Sequence, residues 1–230
     1  MRKSVAVASI VALGGLLTVG QAEAAVLAQY TFSPDTTGPN LAPTTVDPLV
    51  TAGNINTTGA SANAIIQGDG NNTATGSTSA DSQRLRFVVS NPSNTNYGSY
   101  FQFTVDPVTS VDLDTLTLDA APAGGSERGF SVFYSFDGFA TAGTQIGSTV
   151  VFNSATAYAF NNYSYNLTDE VANATQSPVT FRIAQYSATA TVGIEYDNIT
   201  VNGSAVPEPA SLGLLGGGAA MLLGRRRARA

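Results

Sequence analysis

Tyr100-Phe101-Gln102-Phe103-Thr104-Val105 places Phe101, Phe103 and Val105 on one face and Tyr100, Gln102 and Thr104 on the other. A side-chain period of two is the signature of a β-strand. Asp106-Pro107 is expected to end it, because proline has no N–H to give a ladder. Downstream, Val111 to Leu118 repeats the pattern with a fault. Its apolar set is Val111 and Leu113, then Leu116 and Leu118, so the phase slips at Asp114-Thr115 and a β-bulge is the natural cause. Leu85-Arg86-Phe87-Val88-Val89 reads as a strand upstream. Phe130 to Phe136 is apolar on both sides, as a central strand would be, and Asp137-Gly138 is a turn signal. Gln145–Phe152, Tyr158–Leu167, Val179–Tyr186 and Gly193–Val201 give further strands, the last two spaced to pair as a hairpin across Ser187 to Val192. The one helical hint is Thr168, placed to cap a single turn carrying Asp169 and Glu170. Many short strands rich in Tyr, Phe, Val and Thr predict an all-β chain, a jelly-roll-like antiparallel β-sandwich. Gly38 to Ser82, rich in Asn, Thr, Gly and Ser, is expected to form long surface loops with one or two edge strands.

The 230 residues contain no Cys, no His and no Trp. That excludes disulfides, thiol nucleophiles, imidazole bases and the usual zinc ligand sets. Met1-Arg2-Lys3, an apolar run from Val5 to Val19, and Ala22-Glu23-Ala24 have the order of a secretory signal peptide, with cleavage expected after Ala24. A buried N-terminal helix or a membrane anchor is the competing reading. At the other end, Val206-Pro207-Glu208-Pro209 is stiff and non-helical. An apolar, glycine-rich run follows from Leu212 to Leu223, and then Arg225, Arg226, Arg227 and Arg229. As a helix, Ala210 to Gly224 spans about 22 Å, short of the ~30 Å hydrocarbon core. A short sorting helix that inserts transiently in the inner membrane, its arginines on the cytoplasmic side, fits this length.

Pro207-Glu208-Pro209, the Gly/Leu run and the arginine cluster resemble the PEP-CTERM sorting signal of exported bacterial proteins. The resemblance implies recognition of Pro207, Glu208 and Pro209 by an exosortase, with signal peptidase acting at the other end. It also implies a Gram-negative cell surface or extracellular matrix and an association with exopolysaccharide or biofilm. The expected organisation is therefore residues 1–24 as signal peptide, 25–205 as sandwich and 206–230 as sorting signal.

Residues 25–205 hold fourteen acids against four arginines, a net charge of −10, with no lysine. Such a field repels nucleic acid, so that partner class is excluded. Tyr100 to Val105, Asp112 to Leu118, Tyr134 to Phe139 and Tyr196 to Val201 resemble jelly-roll domains found in PEP-CTERM proteins, which are similar in turn to carbohydrate-binding modules. Matched positions are mostly core and turn residues, so the resemblance carries fold further than ligand. Glycan cleavage would need two carboxylates about 5 to 10 Å apart. Glu127, Glu170 and Glu195 are scattered, and Asp112 and Asp114 flank the expected bulge, so no catalytic residue is assigned. Calcium is the one ion this oxygen-rich composition suits, at Asp69 and Asn71 within Gln67–Thr73 or at Asp197 where Asp197-Asn198 is expected to open the last strand. Ordinary turn chemistry competes with both. Tyr97, Tyr100, Tyr158, Tyr163 and Tyr165 lie beside Asn-rich loops and could stack sugars, but half-buried sandwich tyrosines are the favoured account. The sequence thus points to a non-catalytic exported surface or matrix protein, with a carbohydrate-binding module, calcium-dependent or not, as the alternative.

Overall fold

The computed structural model describes residues 24–32, 34–35, 38–39, 41–57, 85–88, 99–123, 127–152, 159–168, 171, 177–187 and 193–206. All fall within one unit, Glu23–Val206. The strands in chain order are β1 (Ala25–Tyr30), β2 (Pro34–Asp35), β3 (Gly38–Pro39), β4 (Thr45–Val46), β5 (Val50–Ala52), β6 (Leu85–Val88) and β7 (Ser99–Pro107). They continue with β8 (Val111–Pro122), β9 (Arg128–Ser135), β10 (Thr144–Phe152), β11 (Asn161–Asn166), β12 (Val179–Ser187) and β13 (Gly193–Ala205). No helix occurs among the described residues.

Two antiparallel sheets face each other. The first runs β11-β8-β13-β1-β4, with β6 also on β13, and the second runs β10-β9-β12-β7-β5. From β7 onward successive strands change sheet at every step except β9–β10, which is the alternation of a jelly-roll-like sandwich. Phe101, Phe103 and Val105 of β7 point inward and are buried, as their spacing predicts. They meet Tyr196 and Tyr30 from the opposite sheet, with ring centroids 5.0 Å (Phe101–Tyr196) and 4.9 Å (Tyr30–Phe103) apart. Phe130 is centred among Phe152, Tyr163 and Tyr196 at 5.3 to 6.1 Å. Such ring pairs contribute about 0.5–1.5 kcal/mol each beyond the area they bury.

The phase slip in β8 is a bulge. Asn202 pairs with Thr115 and Gly203 with Leu113, leaving Asp114 as the extra residue, and Asp114 and Thr115 are both half-buried. Beside Asp112 and with its own carboxyl partly desolvated, Asp114 is held above the usual carboxylate range, desolvation being the larger cause.

Three expectations need correction. The strands Val179–Tyr186 and Gly193–Val201 do not pair as a hairpin: β12 lies in the second sheet between β9 and β7, and β13 in the first. Both carry a buried apolar face, and these faces oppose each other across the core, which alternation alone does not distinguish from two neighbours in one sheet. β7 does end at Asp106-Pro107: Pro107 pairs with Val50 at the strand's last position, where only the three-residue edge strand β5 loses a donor. Asp197-Asn198 lies inside β13 rather than at its start. The single turn after β11 is opened by Asn166, not Thr168: Asn166 Oδ1 accepts from the Thr168 amide at 2.9 Å and from the Thr168 hydroxyl, and Val171 N donates to Leu167 O at 2.8 Å. An amide oxygen two residues back forms an Asx turn that a hydroxyl imitates less well. β1, unforeseen, pairs with both β13 and β4.

Candidate binding face

Residues directly opposite in an antiparallel ladder share a face. Register therefore builds the outer surface of the second sheet row by row. Gln102 pairs with Arg182, Arg182 with Phe133, and Phe133 with Gln145, one continuous row across four strands. Asn56 extends it by a bridge to Gln102. On one side lie Tyr100, Ala184 and Ser131, and on the other Thr104, Thr180 and Ser135; Ala184, Ser131, Thr180 and Ser135 are buried, so the central row with Tyr100 and Thr104 makes the accessible part. The rows are stitched laterally by Thr104–Thr180 hydroxyls at 2.9 Å and Ser131–Thr149 hydroxyls at 2.7 Å. None of these residues is a carboxylate.

Arg182 is the centre of the face. Its guanidinium carbon lies 3.9 Å from the Tyr100 ring centroid and 3.7 Å from that of Phe139. Nε and Nη2 both donate to Gln102 Oε1, at 3.1 and 2.9 Å. Partial burial lowers the Arg182 pKa from its ordinary value, with the Tyr100 hydroxyl opposing. The group stays charged at neutral pH all the same.

A hydrogen-bonded loop delivers Phe139. Ser135 Oγ donates to Asp137 Oδ1 at 2.5 Å and accepts from the amides of Asp137 and Phe139. Asp137 Oδ2 accepts from the Thr141 amide at 3.0 Å and hydroxyl at 2.6 Å. These donors, Ser135 and then Thr141, pull the Asp137 carboxyl down to about 2. Gly138 and Phe139 both have φ of 67°. That is ordinary for glycine but strained for an aromatic residue, and such strain persists only where surroundings fix it. Gly143 is one fixing element, since a Cβ there would sit 2.2 Å from the Phe139 ring. A shallow pocket of about 260 Å³ lies beside this loop, between Tyr134, Phe136, Asp137 and the 141–144 turn.

The expected site residues are distributed as follows. Tyr100 is on this face. Tyr163 packs against the core and Tyr165 is buried, both structural, and burial raises the pKa of each. Tyr97, Tyr158, Asp69, Asn71, Ala22, Pro207, Glu208, Pro209 and Arg225 to Arg229 lie outside the described residues, whereas Ala24 is exposed just ahead of β1. Asp197 is buried opposite Asp119. Asn162 and Asn198 amides donate to the two Asp119 oxygens at 2.9 Å, and Asn198 N donates to Asp197 Oδ1 at 2.8 Å. Three of the four carboxylate oxygens thus hold N–H donors at the β13 irregularity, and among the described residues no group of three or more acids is placed for a metal. Calcium needs six to eight oxygens.

Sequence reasoning missed Arg182, Phe133 and Phe139. A usable signal existed for the first: Arg182 is one of four cations in residues 25–205, on the outward side of a strand whose other side holds Val179, Phe181 and Ile183.

Residues 205–228 match the PEP-CTERM protein-sorting motif. No curated protein matches the chain. Among solved structures, the unit is similar to the CBM22-1 xylan-binding domain from Paenibacillus barcinonensis Xyn10C, at 12% identity and TM-score 0.43, over 82% of this chain and 100% of that one. It is also similar to TmCBM61, solved with β-1,4-galactotriose, at 8% identity and TM-score 0.37, over 75% and 93%. A third is the K3 cleaved adhesin domain of Lys-gingipain from Porphyromonas gingivalis, at 13% identity and TM-score 0.39, over 78% and 98%. Likeness at this level assigns no ligand.

Proposed function

We propose that this chain, an exported protein bearing a C-terminal sorting signal, is a non-catalytic surface or matrix protein whose sandwich binds extracellular polysaccharide on the outer face of its second sheet. The delivery half rests on the sorting motif at residues 205–228. In this reading residues 1–24 are removed by signal peptidase, and an exosortase acts at Pro207-Glu208-Pro209 while the tail is held in the inner membrane. A Gram-negative host and an exopolysaccharide or biofilm setting follow from the same resemblance.

The observation carrying the binding half is the row Gln102–Arg182–Phe133–Gln145 with Tyr100 and Phe139 against it. Sugars offer a weakly apolar ring face and a rim of hydroxyls. Aromatic rings take the first, while carboxamides and a guanidinium take the second. Strand-borne groups are held more rigidly than loop-borne ones, which lowers the entropy lost on binding. The three rows carry no carboxylate, though Asp106 lies beyond Thr104 on the same side of β7, and the chain has no imidazole or thiol.

Affinity electrophoresis of the full-length protein in nonionic detergent, through gels holding neutral or acidic polysaccharides, tests this. At least one polymer should retard the protein, and Tyr100→Ala with Phe133→Ala should abolish the retardation. Equal mobility in every gel would remove the binding half and leave the delivery half standing.

A further inference from the structure

We propose that the polysaccharide recognised here is acidic, built from uronic acid residues, and that Arg182 is the anchor for their carboxylates; this rests on the glycan-binding reading above. Charge is distributed unevenly in this domain. Fourteen acids and four arginines populate residues 25–205, yet the three outer rows of the second sheet contain no acid and one cation. Of the other described arginines, Arg128 is fully buried with Nη1 donating to Gly193 O at 2.9 Å, and Arg86 lies 3.6 Å from Glu195 in the opposite sheet. Arg182 alone is offered on this face.

Its donors are divided. Gln102 Oε1 takes Nε–H and one N–H of Nη2. The two N–H groups of Nη1 and the second of Nη2 have no acceptor among the described residues. A guanidinium has five donors in a planar fork, and a carboxylate is the planar acceptor that meets two of them at once. Tyr100 and Phe139 hold the group in place and take water from it, so an incoming carboxylate displaces little solvent and pins no floppy side chain. The hydroxyls of a neutral sugar accept from those donors one at a time and without charge, whereas a carboxylate meets two at once with charge assistance.

The domain's net −10 works in the same direction as selectivity. The field opposes any polyanion, nucleic acid included, but at physiological ionic strength it is screened beyond about 8 Å, so an acidic glycan is held only where its carboxylate meets Arg182 directly. Elsewhere on the surface a polyanion meets acids at close range, and non-specific adsorption is suppressed. Asp137, the nearest acid in the adjoining loop, has its oxygens occupied by Ser135 and Thr141.

The test compares polygalacturonate with the same polymer after its carboxyl groups are reduced to alcohols, and with dextran sulfate as a polyanion lacking carboxylates, all on the full-length protein in nonionic detergent. Polygalacturonate should bind, and reduction should weaken binding by about tenfold or more, the worth of one charge-assisted hydrogen-bonded pair. Arg182→Gln should lose a similar factor on the acidic polymer and a clearly smaller one on the reduced polymer, where only a contact to hydroxyls is removed. Equal binding before and after reduction would overturn the carboxylate anchor while leaving the glycan-binding reading intact. Dextran sulfate bound as tightly as polygalacturonate would overturn it in favour of unselective anion capture. Binding to none of these polymers, nor to any neutral one, would remove both readings. The reduced-polymer comparison uses the unaltered protein, so it decides even if Arg182→Gln does not fold.

Discussion

Phe130→Ala should lower the unfolding free energy by about 3–5 kcal/mol, read as a shift of the urea midpoint with little change in slope. Phe130 sits in β9, fully buried, with rings of Phe152, Tyr163 and Tyr196 around it. Those rings come from β10, β11 and β13, so the side chain is a junction of both sheets rather than of one hairpin. Its removal takes away transfer free energy and leaves a cavity that rigid strands cannot close. Against a total of ~5–15 kcal/mol for a typical domain, that is about a fifth of the stability or more. Phe133, three residues along on the outer face, is the control: Phe133→Ala should cost under about 1 kcal/mol. Equal losses at the two positions would mean that β9 is turned over, and the outer row built on Phe133 would fail with it.

Gly203→Ala should be comparably damaging for the opposite reason. A Cβ at Gly203 would lie 2.3 Å from Asp112 O and 2.6 Å from Leu27 Cδ1. The first contact is backbone of the neighbouring strand, drawn close because Asp114 bulges out of register beside it. Relief requires moving β8 or β13 bodily, at the upper end of the ~1–3 kcal/mol usual for overpacking, or beyond it. At Gly53, by contrast, a Cβ would meet only Thr104 backbone atoms at 3.8 and 3.9 Å. Gly53→Ala should therefore be neutral or stabilise by up to ~1 kcal/mol through the unfolded chain. Thermal or urea unfolding of both variants checks the contrast. A Gly203→Ala protein as stable as the parent would show that the β8 bulge is placed wrongly.

Much of this architecture was legible because alternation survives burial on one face. Phe101, Phe103 and Val105 declared their side of β7, and the slip from Leu113 to Leu116 located the bulge to the pair Asp114-Thr115, of which Asp114 is the extra residue. Turn chemistry was equally readable at Asp137-Gly138. What failed was partnership. β12 and β13 each look like half of a hairpin, yet they line opposite walls of the core, and nothing local records which wall a strand joins. β1 went unnoticed for a related reason: Ala25 to Tyr30 is short, follows an apolar leader, and gains its place through β13 and β4. The candidate face was hidden more deeply. Gln102, Arg182, Phe133 and Gln145 are separated by as many as 80 residues, and only ladder register brings them into line. Phe139 adds a local conformation, φ of 67°, that an aromatic residue does not advertise. At Asp197, noted in the sequence as a cation ligand, the sequence does not reveal the surrounding donors: its Oδ1 and both oxygens of Asp119 accept amide protons from Asn162 and Asn198.

In the function proposed above, Glu23–Val206 is the working body and the residues on either side are addresses. Intact-mass analysis of the protein recovered from the cell surface and medium tests this most directly. A species that starts near Ala25 and lacks Arg225 to Ala230 is the expected result. Surface material carrying the whole C-terminal arginine cluster, or a full 230-residue chain confined to the cytosol, would contradict it.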